Sequence, residues 1–252
     1  MAKIEKQFAG RTLSIETGKM ARQADGSCVV QFGETMVLCT ATAQDNPTHL
    51  PFFPLTVEYR ERTYAAGKIP GGYIKREGRP SDKEILSARG IDRPLRPLFP
   101  DGFMHETQVF VYVISADQEN DADVVALTGA SVALNMSRIP FDDLVAAVRV
   151  GRIQGQWVLN PTFQQLDYSD VDIVVAGTDQ AITTVEGGAL EVPEEEIAEG
   201  LLVAHEGIRE LIKIQQELLD EVGRAETMAW APKEPSEALR KKVEKLAAKK
   251  VR

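Results

Sequence analysis

The sequence predicts an α+β protein: a mixed β-sheet of two βαβ-type halves with helices packed on its faces. Three observations carry that prediction. Short alternating runs separated by glycine fill the first sixty residues, the pattern of hairpins and a meander. Two longer stretches, Asp121–Met136 and 193–222, have helical spacing. Strand-like runs rich in β-branched residues recur on either side of the first of these.

The elements follow in order. Ile4–Phe8, Arg11–Thr17, Ser27–Phe32 and Thr35–Ala43 are expected strands, punctuated by Gly10, Gly18, Asp25-Gly26 and Gly33. Leu55–Arg60 is a further strand, leading into a loop carrying Gly67, Gly71, Gly72 and Gly78. Ser81–Ile91 has Ile85, Leu86 and Ala88 on one side, and Ser81 with Glu84 matches a capping box. That helix is expected to stop before Arg93-Pro94, because proline lacks an amide hydrogen and disfavours helical geometry in the residue before it. Thr107–Ser115 is a buried strand. Asp121–Met136 begins with acids that suit the positive end of a helix. It continues with Ala126, Gly129, Ala130 and Ala133, whose small side chains allow close packing on a sheet. Val145–Ile153, Gln156–Leu159, Val171–Gly177 and Ile182–Glu186 return to strand character. Pro193 opens the longest helix, with Glu194–Glu196 in its first turn and Gly223 past its last. Its apolar stripe (Ile197, Leu201, Ala204, Ile208, Leu211, Ile212, Gln215, Leu218, Leu219) is expected to lie on the sheet. Met228–Pro235 resembles a linker, and Ser236–Arg252 the beginning of another, lysine-rich helix. A helix that short, with few large apolar groups, is marginal alone, so we expect the chain to be the front of a longer protein.

Composition narrows the functional classes. The chain has 43% apolar and 27% charged residues, ordinary for a folded domain. No run of eighteen apolar residues exists to cross a membrane, and the first residues form no secretory signal. Cys28 and Cys39 both sit in apolar strand-like runs, as expected of reduced core residues in a cytoplasmic protein. The three histidines lack metal-ligand spacing.

Charge is the most informative feature. Residues 60–96 hold ten cations against five anions, within a chain of net charge −9. Concentrated positive charge in an acidic protein points to a polyanion, whose phosphates lysine and arginine neutralise while releasing counterions.

These residues also carry a resemblance. AAGKIPGGYIKREGRPSDKEILSARGIDRPLRPLFPDGF, followed in order by GASVALNMSRIPF, RVGRI, VLNP and DIVVAGT, resembles the first RNase PH-like domain of bacterial polynucleotide phosphorylases. By that resemblance, residues 1–228 form this RNase PH-like domain, and residues 229–252 begin an all-helical domain joining it to a second copy. The family degrades RNA from the 3′ end by phosphorolysis, releasing nucleoside diphosphates, and can polymerise them in reverse. It forms a homotrimeric ring whose channel admits single-stranded RNA. Its active site lies in the second copy, which uses Mg²⁺ or Mn²⁺ with inorganic phosphate as co-substrate. An endoribonuclease and an RNA helicase of a degradosome are implied partners.

The resemblance also implies which residues here act. The family's first domain lends the channel two aromatics followed by two basic residues, matched here by Tyr73, Ile74, Lys75 and Arg76. Aromatics stack on bases of any sequence, and basic side chains hold phosphates; Ile74 departs from the pattern and cannot stack. Arg79, Arg93 and Arg96 are expected to continue the phosphate track, with internal pairing of Arg93 and Arg96 to Asp92 or Glu84 as the alternative. In the active copy a Gly/Ser run binds phosphate at a helix N-terminus. Here that stretch is Asn120-Asp121-Ala122-Asp123, whose carboxylates would repel the anion by about 1 kcal/mol per close pair at water-like screening. Asp121 and Asp123 are instead expected to cap their helix. Of two catalytic Asp and a Lys on a later strand, only Asp172 is matched, with Leu166 and Val174 at the other places. Asp170 and Asp172 share a strand face, which leaves a weak metal site conceivable. No catalytic residue is therefore expected in this portion. Two alternatives remain open: a single-domain RNase PH-type enzyme trimming tRNA, and a non-catalytic RNA-binding ring subunit.

Overall fold

The structure, a computed structural model, describes residues 1–76, 78–232 and 237–251, apart from the side chains of 74, 75 and 248–251. The α+β expectation holds, with the strands divided between two sheets. The first contains β1 (Ala2–Phe8), β2 (Arg11–Thr17), β3 (Gly26–Phe32), β4 (Thr35–Pro47), β5 (Leu55–Glu61) and β6 (His105–Ser115), in the order β1-β2-β3-β4-β6-β5. Every pairing is antiparallel except β5 with β6. A parallel pair needs a crossover, and helix α2 (Asp82–Leu95) supplies it, packed on β5. This is the βαβ unit of the front half; the rear half is a wholly antiparallel sheet. It contains β7 (Ala146–Ile153), β8 (Gln156–Leu159), β9 (Val171–Gly177) and β10 (Ile182–Ala189), in the order β10-β9-β7-β8.

Helix α3 (Ala122–Met136) joins the two sheets, packing on β3 and β4 on one side and β7 on the other. Apolar or small residues all round it explain that central place. Close approach fixes Gly129, where a Cβ would stand 2.5 Å from the Cys39 sulfur. Cys28 faces Cys39 across the β3–β4 register, and both are buried free thiols. Helix α5 (Glu194–Val222) lies on β7, β8 and β9 and reaches β1, with the expected stripe against the sheet. Its one buried polar residue in that stripe, Gln215, donates from Nε2 to the Val145 carbonyl at 3.0 Å.

Several expectations are corrected. Helix α2 runs through Pro94 to Leu95, and a 3₁₀ turn, Arg96–Leu98, follows. Proline in a last turn removes one hydrogen bond only, while Pro94 and Leu95 are both buried. The glycine-rich loop contains a 3₁₀ turn, Thr63–Ala66, and one turn of helix, α1 (Tyr73–Arg76). A further short helix, α4 (Phe163–Leu166), carries a capping box of Thr162 and Gln165 that the apolar periodicity does not signal. The expected linker begins docked: the Met228 amide donates to the Arg138 carbonyl at 2.8 Å. The Trp230 ring meets Phe103 edge-on at 5.6 Å. Residues 233–236, the rest of that linker and Ser236, lie outside the described residues, as does Arg252. Helix α6 spans Glu237–Val251.

Candidate nucleic-acid interface and the cavity beside it

The basic segment leaves β5 through the 63–66 turn, which ends at Gly67 in the left-handed region (φ 67°). Gly67 tolerates that geometry because it has no Cβ. The Ala116 amide donates to the Ala65 carbonyl at 3.0 Å, and Arg62 Nη1 donates to the Arg76 carbonyl at 3.2 Å. Those two bonds hold the ends of an otherwise solvent-facing loop. Tyr73 is 79% exposed at the start of α1, and Arg76 and Arg79 are also exposed. Lys75 belongs to α1, but its side chain, like that of Ile74, lies outside the described residues.

The remaining two cations are differently placed. Arg93, in the last turn of α2, is ion-paired with Glu186 of β10, both half-exposed. Arg96 pairs with Asp92 through two contacts, Nη2 at 2.6 Å and Nε at 3.1 Å. It also donates to the carbonyls of Phe53 (3.2 Å) and Leu55 (3.1 Å) and lies over the Phe53 ring. Its guanidinium thus ties the end of α2 to the start of β5. The internal pairing foreseen with Asp92 is found for Arg96; Arg93 chooses a partner 93 residues away.

Helix α2, the N-terminus of α3, β7, β9 and β10 line an open cavity of about 460 Å³. Its polar end is an ion-pair network around Arg149, which β7 carries in among apolar neighbours. Arg149 donates from Nε to Asp172 Oδ1 at 2.7 Å and from Nη1 to Asp121 Oδ2. Lys83 of α2 stands 2.9 Å from Glu61 Oε1 and 3.6 Å from Asp121 Oδ1. Burial alone would lower the pKa of both cations, but Asp121, Asp123 and their other carboxylate partners outweigh it and hold them protonated. Asp123 is pushed up to about 6, first by burial and then by the neighbouring Asp121 charge.

Asp121 occupies the N-cap position of α3, but its side chain makes no cap hydrogen bond. Its carboxylate is turned instead to Arg149, whose guanidinium brings a full positive charge. Asp123 Oδ1 accepts the Val124 amide at 2.7 Å, so the pair complements the helix dipole without the expected cap. Asp170 and Asp172 do not converge on one point. Asp170 is gripped by Arg152 at 2.5–3.2 Å and Asp172 by Arg149. Among the described residues, no group of three or more His, Cys, Asp or Glu could hold a metal ion. Arg149, Lys83 and Glu186 organise this site, and local pattern reading passed over them. The available signal was a cation interrupting the apolar alternation of Ala146–Val150.

Arg149 and Lys83 are both paired with carboxylates, and Asp121 and Asp123 occupy the N-terminus of α3. The hydroxyls lining the cavity are those of Ser87 and Thr184.

The models of the 3′ exoribonuclease family match most of the chain, domain 1 over residues 9–140 and domain 2 over residues 143–207. The chain belongs to that family. Among individual proteins it is similar to the polyribonucleotide nucleotidyltransferase of Gemmatimonas aurantiaca, 63% identical over 252 residues, 100% of this chain and 34% of the relative. It is 55% identical over 220 residues to that of Halalkalibacterium halodurans and 54% over 217 residues to that of Bacillus subtilis, in each case covering 31% of the relative. The chain thus spans about a third of the length of the curated relatives it matches. Among solved structures, a chain of the Archaeoglobus fulgidus exosome with RNA bound to the active site aligns with a TM-score of 0.62 at 19% identity. The alignment covers 79% of this chain and 87% of the other. At that identity the likeness concerns the fold. Among the described residues, no helix is long and apolar enough to cross a membrane.

Proposed function

We propose that this chain is the RNA-gripping front portion of a phosphorolytic 3′-to-5′ exoribonuclease, the polyribonucleotide nucleotidyltransferase its relatives are named for. In this reading residues 1–228 bind and thread single-stranded RNA and contribute to a homotrimeric ring. Residues 229–252 begin a helical domain leading to a second, catalytic RNase PH-like domain. That second domain holds the Mg²⁺ or Mn²⁺ and takes inorganic phosphate; the groups around the cavity here suit neither, since Asp121 and Asp172 are paired with Arg149 and Asp170 with Arg152. The two free, facing thiols suit a reducing cytoplasm. The endoribonuclease and RNA helicase of a degradosome are the partners proposed for the whole protein.

One observation supports the reading: Asp121, Asp123 and Arg149 place paired charges at the helix N-terminus, where an incoming phosphate would meet carboxylates. In the loop, Tyr73, Arg76 and Arg79 are exposed and can meet a strand of RNA. Tyr73 offers a face for stacking, while Lys75, Arg76 and Arg79 form the phosphate track. Arg93 joins that track only by leaving Glu186. Arg96 braces the platform.

Titration of a fluorescent oligoadenylate against the chain at several salt concentrations tests this. Each single-strand phosphate neutralised contributes about 0.7 to the salt slope. Lys75→Ala with Arg76→Ala is therefore expected to reduce the slope by about 1.4. An unchanged slope would remove the loop from the RNA path.

A further inference from the structure

A second open hollow, of about 400 Å³, lies between the 63–66 turn and helix α4. Three cations border it: Arg62, Lys68 and Lys83. Lys83 is engaged by the two carboxylates of the hollow, Glu61 at 2.9 Å and Asp121 at 3.6 Å. Among the described residues, neither Arg62 nor Lys68 is ion-paired. Arg62 donates from Nη1 to the Arg76 carbonyl at 3.2 Å, a neutral acceptor that leaves its charge uncompensated. Lys68 is exposed, and its backbone is fixed by an amide bond to the Thr63 carbonyl at 3.0 Å. Across the hollow stands Phe163, the first residue of α4, with its side chain 38% exposed. Its position is set from both sides. The Phe163 amide donates to the Glu119 carbonyl at 3.1 Å, and the capping box of Thr162 and Gln165 holds the turn. An accessible aromatic ring facing uncompensated cations is the combination by which proteins hold single-stranded nucleic acid.

We propose that this hollow seats one nucleotide of a single strand, its base against Phe163 and its phosphate at Arg62 and Lys68. The proposal rests on the RNA-gripping reading above and extends the path of the strand from α1 to α4. Arg62 makes the two parts contiguous, since the guanidinium that borders the hollow is bonded to the backbone of α1 at Arg76. Glu61 and Asp121 lie together around Lys83, and their charge keeps a phosphate on the Arg62 and Lys68 side. A phenyl ring stacks on a base of any sequence, so the seat adds affinity without selecting among bases. It also explains how the loop holds a strand although Ile74 supplies no ring beside Tyr73: the second stacking surface comes from α4.

Anisotropy titrations with a fluorescent oligoadenylate, and with an abasic strand of the same length, separate base from phosphate. Phe163→Ala is expected to weaken oligoadenylate binding at least about fivefold, the lower end of what one stacked base contributes. It is expected to leave the abasic strand unchanged, and Phe163→Trp, which keeps a stacking face, to bind oligoadenylate like the parent. Lys68→Ala is expected to weaken both strands and to lower the salt slope by about 0.7, the share of one single-strand phosphate. Equal losses on both strands in Phe163→Ala would mean that the ring only supports the local fold, and would overturn the seat. Unchanged oligoadenylate binding in either Phe163→Ala or Lys68→Ala would overturn it too. Lys75→Ala with Arg76→Ala, titrated alongside, distinguishes the two readings. A salt slope lowered by that pair but not by Lys68→Ala keeps the grip and sinks the seat. The reverse keeps the seat and removes the loop from the path, and a parent chain that binds no oligoadenylate sinks both.

Discussion

Replacing Asp123 with asparagine should stabilise the protein at neutral pH, an unusual outcome for removing a charge from a salt-bridge network. Burial and the adjacent Asp121 raise the Asp123 carboxyl from an ordinary 3.8 to about 6 in the folded chain. Below about pH 4 both folded and unfolded forms hold the proton, so the group contributes nothing to stability. Between about 4 and 6 the folded form keeps a proton that the unfolded chain has released, so stability falls as pH rises. Above 6 the full penalty is present. At about 1.4 kcal/mol for each tenfold change in proton affinity, it comes to roughly 3 kcal/mol. Asparagine has nearly the same shape and no charge to desolvate. Urea unfolding of Asp123→Asn should therefore match the parent at pH 4 and exceed it by up to about 3 kcal/mol at pH 8. Asp117 does not blur this window. Although burial opposes it, amide donors from Asn120 and Glu119 hold it at about 2, so its contribution is lost only below the ordinary carboxylate range. A variant less stable than the parent at pH 8 would overturn this assignment, because Asp123 would then be a partner that Arg149 needs.

Other outcomes follow from the same network and loop. Arg149→Met should cost about 3–5 kcal/mol in urea unfolding at pH 8, because it leaves Asp121 and Asp123 buried without their cation. A loss under about 1 kcal/mol would mean that water already solvates those carboxylates. Tyr73→Ala should weaken oligoadenylate binding by about 1–3 kcal/mol by anisotropy, the worth of one stacked base, with unfolding midpoints unchanged because the ring is exposed. In the full-length enzyme, Lys75→Ala with Arg76→Ala should impair degradation of long RNA while leaving attack on dinucleotides intact. Equal losses on both substrates would place the pair in the chemistry instead.

Much of the architecture was legible because it is written in local pattern. Alternation set β2, β8 and β9 to their observed bounds, and the Ser81–Glu84 box marked the start of α2 with both reciprocal bonds in place. The small-residue run of α3 foretold its close packing, down to Gly129 against Cys39. What escaped was decided by partners distant in sequence. The end of α2 was misjudged because tertiary burial of Pro94 and Leu95 outweighs one missing hydrogen bond. The cap expected of Asp121 is absent, its carboxylate meeting Arg149, which β7 delivers from 28 residues on, through one oxygen. For the site, the sequence marked the basic segment and the anomalous carboxylates. It allowed the pairing of Arg96 with Asp92 but could not reveal that Arg96 also holds the Phe53 and Leu55 carbonyls, or that Arg93 answers to Glu186. Both facts depend on how α2 meets β5 and β10.

The decisive experiment follows nucleoside diphosphate release from a labelled oligoadenylate by this chain, with orthophosphate and Mg²⁺ supplied. We expect binding without release, at every phosphate concentration. Diphosphates appearing in proportion to added phosphate would show the opposite, since the chain would then cut the strand that we assign it only to hold.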